Sequence, residues 1–153
     1  MTWIYVDADA CPLKEEVYQV AARHDVAVRL VANAPLRVPG GSGVELIVVE
    51  AGPDAADDFI AANVRRGDVV VTADIPLAAR CLEAGARVLG TNGEPFREDS
   101  IGTALATRAL KSELRASGLQ TGGPPPLSAR DRSRFLSRLD QLVVQGLAGD
   151  RSA

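Results

Sequence analysis

The stretch Trp3-Ile-Tyr-Val-Asp-Ala-Asp-Ala-Cys-Pro12 sets the interpretation of the rest of the chain. Its first four residues are β-branched or aromatic, which is typical of a buried strand, and the run ends at two carboxylates, Asp7 and Asp9. Pro12 lacks a backbone N–H and has a fixed φ angle, so it favours the first helical position. In an open α/β sheet, ligands bind where a strand ends beside a reversal of strand order. The stretch therefore predicts a strand, an acidic turn and a helix at a binding edge.

The composition bounds the class of protein. A chain of 153 residues with 46% hydrophobic content can form one domain with an ample core. We expect an α/β domain over residues 1–120, followed over 121–153 by a Gly/Pro linker and a C-terminal helix packed on the same domain. The net charge of -3 argues against a wholly basic nucleic-acid coat protein. The single histidine, His24, nearly excludes a His-based triad or a His-rich zinc site.

The expected compartment follows from the absence of targeting and spanning segments. The chain has no run of about 18 apolar residues, and the first strand begins almost at Met1, which leaves no room for a signal sequence. We therefore expect a cytoplasmic protein with no membrane partner, and a homodimer is one expected assembly. Cys11 and Cys81 lack metal-ligand spacing, so we expect both to stay reduced.

Apolar strands and amphipathic helices alternate along the chain. After the first strand we predict strands at 26–32, 44–49, 69–72 and 86–89, and helices from Pro12 to about 24, at 54–64, 77–84, 100–116 and 128–145. A turn-rich loop is expected at 91–99, and fraying at 149–153. Strands that are apolar throughout and alternate with helices indicate a parallel sheet covered on both faces. The predicted fold class is α/β: a three-layer α/β/α sandwich whose five-stranded, mainly parallel sheet has the order 3-2-1-4-5.

The carboxylates at the strand ends are the candidate catalytic and metal-binding residues. The predicted order places strands one and four side by side, so Asp7, Asp9 and Asp74 should converge, with Asp57 and Asp58 at a nearby helix start. Unit charges ~4 Å apart repel by about 4 kcal/mol at an effective dielectric near 20, and Mg²⁺ or Mn²⁺ would remove that cost. Such metals activate water and stabilise a leaving oxygen in phosphodiester hydrolysis. The structural alternative is that each Asp only caps a helix or forms a turn.

Four stretches resemble the YaiI/YqxD family of uncharacterised bacterial proteins. They are Val6-Asp-Ala-Asp-Ala-Cys-Pro12, Val31-Ala-Asn-Ala-Pro-Leu-Arg-Val-Pro39, Val71-Thr-Ala-Asp-Ile-Pro-Leu-Ala78 and Gly122-Gly-Pro with Asp131-Arg132. That family is similar to the PIN-like fold, whose nucleases hold Mg²⁺ or Mn²⁺ with acids after strand one, at a middle helix and after strand four. The resemblance implies Asp7 and Asp74 as the best-matched ligands, Asp9 as an additional acid, and Asp57 or Asp58 as the middle ligand. It implies a nuclease by extension.

Further residues are candidates for substrate binding. Asn33 and Arg37 follow strand two beside the proposed site, where Arg37 could clamp a phosphate, and Thr72 could hydrogen-bond a metal ligand. The last two helices gather positive charge in a net-acidic protein, through Arg108, Lys111, Arg115, Arg130, Arg132 and Arg134. Such segregation is the electrostatic footprint of phosphate-backbone binding, so we expect a nucleic-acid partner, RNA rather than DNA. Solvated outer faces of amphipathic helices are the alternative.

Two other functions stay open. Asp7-x-Asp9 after an apolar strand resembles the nucleophile and general acid of haloacid-dehalogenase-like phosphatases, although Cys11 stands where Thr or Val is usual and no cap domain is evident. A nucleophilic Cys11 with a lowered pKa would need an arginine motif that the sequence lacks. The third interpretation is a non-catalytic RNA-binding or regulatory module that has kept the fold and the acids.

Overall fold

The computed structural model describes residues 2–8, 11–38, 43–50, 54–97, 101–103, 105–106 and 128–152. The strands are β1 (Trp3–Asp7), β2 (Ala27–Ala32), β3 (Val44–Val48), β4 (Val69–Val71), β5 (Arg87–Leu89) and β6 (Pro95–Phe96). The longer helices are α1 (Lys14–His24), α2 (Ala55–Asn63), α3 (Ile75–Glu83) and α4 (Ala129–Ser152). Residues 101–103 and 105–106 are also helical. None of the described helices is long and apolar enough to cross a membrane.

The strands form one sheet in the order β3-β2-β1-β4-β5-β6. The first five are parallel to their neighbours, which confirms the predicted order 3-2-1-4-5. The predicted count of five strands was wrong, because β6 pairs antiparallel with β5 inside the loop expected at 91–99. Gly90 and Glu94 close a hairpin there through a 2.9 Å backbone hydrogen bond. A two-residue strand is too short to show the alternation that identifies a strand in sequence.

Helices cover both faces of the sheet. On one face, α1 and α4 pack with Ile4 and Val6 of β1, whereas on the other α2 and α3 pack with Tyr5. Side chains of a strand point alternately to opposite faces, so one continuous apolar run serves both cores. The three-layer α/β/α arrangement was therefore predictable from the apolar run of β1.

The bounds of three helices differ from the expected ones by two residues or more. Helix α3 begins at Ile75 rather than at 77, because Asp74 caps it. Helix α1 begins at Lys14 rather than at Pro12, with Leu13 in the capping position.

Helix α4 begins with a reciprocal cap between Ser128 and Asp131, but it continues to Ser152 instead of ending near 145 and fraying. Gly146 lies against Gly67, and Leu147 packs on the core on the α1 side of the sheet. Such contacts stabilise the added turns, because helical stability in proteins comes mostly from tertiary contact. The expected linker at 121–127 lies outside the described residues.

Candidate acidic site

Asp7 and Asp74 are joined through the hydroxyl of Thr72. Thr72 follows β4 directly and is fully buried, and its Oγ1 donates to Asp7 Oδ2 at 3.2 Å. The same oxygen accepts the backbone N–H of Asp74 at 3.0 Å. Asp7 itself is only 8% exposed, at the carboxyl end of β1. Parallel pairing of β1 with β4 thus brings two acids, 67 positions apart in the sequence, to one edge of the sheet.

Asp74 also has a structural role. It is the N-cap of α3, where its Oδ1 accepts the backbone N–H of Leu77 at 2.9 Å, and Pro76 stands in the first turn. A cap of this kind satisfies one of the N–H groups that a helix start leaves without a partner. Asp74 can therefore cap α3 and also bind a cation, since the cap hydrogen bond uses Oδ1.

Helix α2 supplies a third acid to this edge. Asp57 is half-buried, and burial, followed by the nearby charges of Asp74, Asp7 and Asp54, raises its pKa from 3.8 to about 6. Asp58, the next residue, instead accepts a hydrogen bond from Arg80 at 2.9 Å with its side chain 64% exposed. Of the two residues, Asp57 is the one whose carboxyl is affected by the charges of Asp74 and Asp7, whereas Asp58 is exposed and paired with Arg80.

The donor set suits a hard cation in its chemistry. Carboxylate oxygens are the ligands that Mg²⁺ prefers, and it keeps several waters besides. Across the described part of the chain, however, no three His, Cys, Asp or Glu side chains form a group that could hold a metal ion. Asp9, the additional acid predicted after β1, lies outside the described residues.

Glu16, in the first turn of α1, is a further acid near this edge. Its Oε1 accepts a hydrogen bond from Arg132 at 3.3 Å, and its Oε2 is buried with no hydrogen-bond partner among the described groups. A water or an ion bound there would supply the partner that this buried oxygen lacks. The only sequence signal was its place in the first turn of the helix that follows the acidic turn.

Cys11 is unsuited to act as a nucleophile. Burial raises the pKa of its thiol, and the negative charges of Asp7 and Glu16 act in the same direction. A reactive cysteine requires the opposite, a lowered pKa and an accessible thiolate. Both cysteines are free and buried, and burial raises the pKa of Cys81 to about 12.

The predicted substrate-binding residues divide into three groups. Asn33 and Arg37 lie in the segment after β2, where Asn33 is half-buried and Arg37 is exposed. The end of β2 is level with the end of β1. Arg108, with Lys111 and Arg115, lies outside the described residues. In α4, Arg130 is exposed, Arg132 contacts Glu16, and Arg134 lies 3.8 Å from Glu94.

The contacts of α4 show which way it runs across the sheet. Its start touches residues that follow the carboxyl ends of β1 and β5, namely Glu16 and Glu94. Its far end meets Gly67, just before β4, where a Cβ on Gly146 would lie 2.5 Å from the carbonyl oxygen. The basic start of α4 therefore lies at the same edge of the sheet as the carboxylates.

Comparison with known proteins gives a consistent result. Residues 5–145 match the family model described as "Uncharacterized BCR, YaiI/YqxD family". A UPF0178 protein of Bradyrhizobium diazoefficiens is 59% identical over 142 residues, covering 93% of this chain and 85% of the relative. One of Azorhizobium caulinodans is 56% identical over 142 residues (93% and 89%), and one of Paramagnetospirillum magneticum is 56% identical over 145 residues (95% and 96%). No solved structure matches the chain with significance.

Proposed function

Since the chain belongs to the YaiI/YqxD family of uncharacterised proteins, we propose its function from its own site: a metal-dependent nuclease that hydrolyses phosphodiester bonds, with RNA as the substrate. One observation carries the proposal. Carboxylates from the end of β1, the first turn of α2 and the residue that caps α3 lie at the carboxyl edge of the sheet, and the basic start of α4 lies at that same edge. Acids that bind a cation beside arginines that bind phosphates are what phosphodiester hydrolysis requires. The strand order also supports our proposal of a PIN-like fold.

We propose that Asp7, Asp9 and Asp74 would hold Mg²⁺ or Mn²⁺, with Asp57 as a weaker fourth ligand. When bound, such a cation supplies a Lewis acid that lowers the pKa of a coordinated water and neutralises charge on the phosphate. The protein's own part is to hold the carboxylate oxygens in fixed positions. Thr72 holds Oδ2 of Asp7 by donating its hydroxyl proton, and this leaves the carboxylate little freedom to turn away.

Two further roles belong to side chains at this edge. With a pKa near 6, the Asp57 carboxyl can hold or release a proton close to neutral pH while no cation is bound, so cation binding and proton release should be coupled. Arg37 and Arg130 are both exposed, and in this proposal they would bind phosphates of an RNA strand along the edge.

Cation binding is tested by thermal unfolding with and without millimolar Mn²⁺. A ligand of the folded state raises stability by mass action. A ligand concentration ten times the dissociation constant adds about 1.4 kcal/mol, which corresponds to about 4 °C in melting temperature for a chain of 153 residues. We expect that shift in the native protein and little of it in Asp7→Asn or Asp74→Asn. Asp58→Asn is the matched control and should retain it. Equal shifts in all four proteins would contradict the metal site.

Activity is tested on single-stranded RNA, structured RNA and DNA side by side, with Mn²⁺ or EDTA. We expect metal-dependent cleavage of RNA that Asp7→Asn abolishes and Asp58→Asn leaves intact. Hydrolysis of a phosphomonoester in place of RNA would favour the phosphatase interpretation. Cation and RNA binding without hydrolysis would favour the non-catalytic module.

The basic start of α4 is tested by a salt titration of RNA binding. Each lost phosphate contact should lower the slope of log affinity against log salt by about 0.7 for a single strand. We expect Arg130→Ala with Arg134→Ala to reduce both affinity and slope. If both quantities are unchanged, this end of α4 does not contact RNA.

A further inference from the structure

The two edges of the sheet differ in how they are protected from pairing with another strand. Strand β6, at one edge, has two residues, and one of them is Pro95, which has no backbone N–H to donate. Strand β3, at the other edge, has five residues, Val-Glu-Leu-Ile-Val, with neither proline nor lysine. Short strands, proline and lysine are features that block edge-to-edge pairing in natural proteins. In the part of the chain that the structure describes, only β2 pairs with β3, and no strand lies on its outer side.

The backbone groups of every second residue in β3 point to that outer side. In a parallel pair, the N–H and C=O of one residue point to the same neighbour, and successive residues alternate between the two sides. The Gly43 carbonyl accepts the N–H of Val28 at 3.1 Å, and Val49 donates its N–H to the carbonyl of Ala32 at 2.9 Å. Residues at odd positions therefore bond to β2. The residues of β3 that face outward are those at even positions, Val44, Leu46 and Val48.

The side chains of these three residues form an apolar row on one face of the sheet. Side chains alternate along a strand, so the even positions share a face. Val44 and Leu46 pack against the core on the α1 side, whereas Val48 is 49% exposed. The row has the same residue types in both directions along the strand, valine, leucine and valine. A second copy related by a two-fold axis would therefore present a matching row.

Glu45 restricts how two β3 strands could pair. Its side chain is 52% exposed on the opposite face, and its Oε2 accepts a hydrogen bond from Arg29 Nε at 3.4 Å. An antiparallel pair centred on Glu45 would place two carboxylates directly opposite each other, which is unfavourable. A pair centred on Ile47 would leave Val44 with no opposite residue in β3. Only the pair centred on Leu46 gives every residue of β3 an opposite residue and keeps the two Glu45 side chains apart.

We propose that β3 pairs antiparallel with β3 of a second copy of this chain, around a two-fold axis at Leu46. Leu46 then lies opposite Leu46 of the second copy, and Val44 lies opposite Val48. Each of these pairs exchanges two backbone hydrogen bonds, because their N–H and C=O groups face each other. The exposed Val48 side chain is covered, and the two sheets become continuous. Their acidic edges point in opposite directions, so the proposal does not rest on the nuclease.

Sedimentation equilibrium from about 5 µM to about 1 mM tests the assembly. Interfaces that bury less than about 1,200 Å² are typical of weak association, and a pair of five-residue strands is of that size, so we expect a dimer with a dissociation constant on the order of 100 µM. Val48→Lys should weaken it about tenfold, because lysine on an edge strand opposes pairing and both copies of the valine pair are lost. Val144→Lys is the matched control, since Val144 is an equally exposed valine on α4.

Cross-linking under mild oxidation tests the position of the two-fold axis. Leu46→Cys should form an intermolecular disulfide, because the residue lies opposite its own copy with the Cα atoms about 5.5 Å apart. Glu45→Cys is the control. Glu45 is more exposed than Leu46, but its two copies are diagonal neighbours about 7 to 8 Å apart, which is beyond the usual reach of a disulfide. The native Cys11 and Cys81 are buried and should not compete.

A native protein that stays monomeric up to about 1 mM would overturn the proposal, as would assembly beyond a dimer. Equal weakening by Val48→Lys and Val144→Lys would show that the dimer does not form through β3. Cross-linking of Glu45→Cys as fast as that of Leu46→Cys would exclude the axis at Leu46. Asp7→Asn should dimerise like the native protein, so a failed nuclease assay leaves these tests unaffected.

Discussion

Replacing Asp57 with asparagine should stabilise the protein at neutral pH. Burial and the charges of Asp74 and Asp7 raise the pKa of Asp57 from 3.8 to about 6, so ionising this carboxyl opposes folding. About two pKa units correspond to about 3 kcal/mol. Solvent screens part of this free-energy cost, because the side chain is only half-buried. The substitution also loses the favourable interaction of a negative charge with the first turn of a helix, which contributes about 0.3 to 1 kcal/mol. We therefore expect a net gain of about 1 kcal/mol.

The gain should disappear in acid. Below pH 3.8 the carboxyl is protonated in both states and has no cost. Between pH 3.8 and about 6 the unfolded chain ionises first, so the cost of the native carboxyl grows, and above about 6 it is complete. Urea denaturation in EDTA should show Asp57→Asn to be more stable than the native protein at pH 7.5, with a smaller difference at pH 4.5.

Asp58→Asn is the matched control, since Asp58 lies in the same turn but pairs with Arg80 at the surface. It should lose about 0 to 1 kcal/mol at pH 7.5. If Asp57→Asn proves less stable than the native protein at pH 7.5, or if its gain is the same at both pH values, the Asp57 carboxylate does not lie against Asp7 and Asp74.

Three other substitutions test the packing of α4. Phe135→Ala should cost about 3 to 5 kcal/mol in urea denaturation because Phe135 is fully buried, and a loss below about 1 kcal/mol would contradict that burial. Gly146→Ala should lower the melting temperature, because the new Cβ would meet the carbonyl oxygen of Gly67. Alanine in place of glycine normally stabilises a helix by about 1 kcal/mol, so a higher melting temperature would refute the contact. Contact with His24 lowers the pKa of Asp140 below 3.8, so its stabilisation is complete above that value and is lost as the pH falls through the lowered pKa. Asp140→Asn should accordingly cost about 0.5 to 1 kcal/mol at pH 6, and an unchanged midpoint of unfolding there would argue against the pair.

Local patterns were sufficient for much of the architecture. The apolar runs at β1 and β4 predict buried parallel strands, and the handedness of crossovers then restricts the order of the first five strands. β6 was beyond this reasoning because its two residues pair only when the turn at Gly93 folds the chain back on β5. The extension of α4 past residue 145 likewise depends on a contact with Gly67, 79 positions earlier in the sequence.

Part of the candidate site was likewise predictable from the sequence, and part depends on the tertiary structure. That Asp7 and Asp74 approach each other follows from the order of two strands, which hydrophobic pattern and chain handedness already restrict. Which of Asp57 and Asp58 joins them depends on how α2 is rotated about its axis. Adjacent residues differ by about 100° around a helix, so one faces the acids and the other faces Arg80.

The sequence by itself determined the class of fold, the strand order at the reversal and the residue types available for chemistry, because these depend on local periodicity and on connections between neighbouring elements. Only the tertiary structure decided which charges meet. It pairs Arg132 and Arg134 with Glu16 and Glu94. Charges interact through space, over distances of a few ångströms, and positions along the chain do not report such distances until the packing of α4 on the sheet is known.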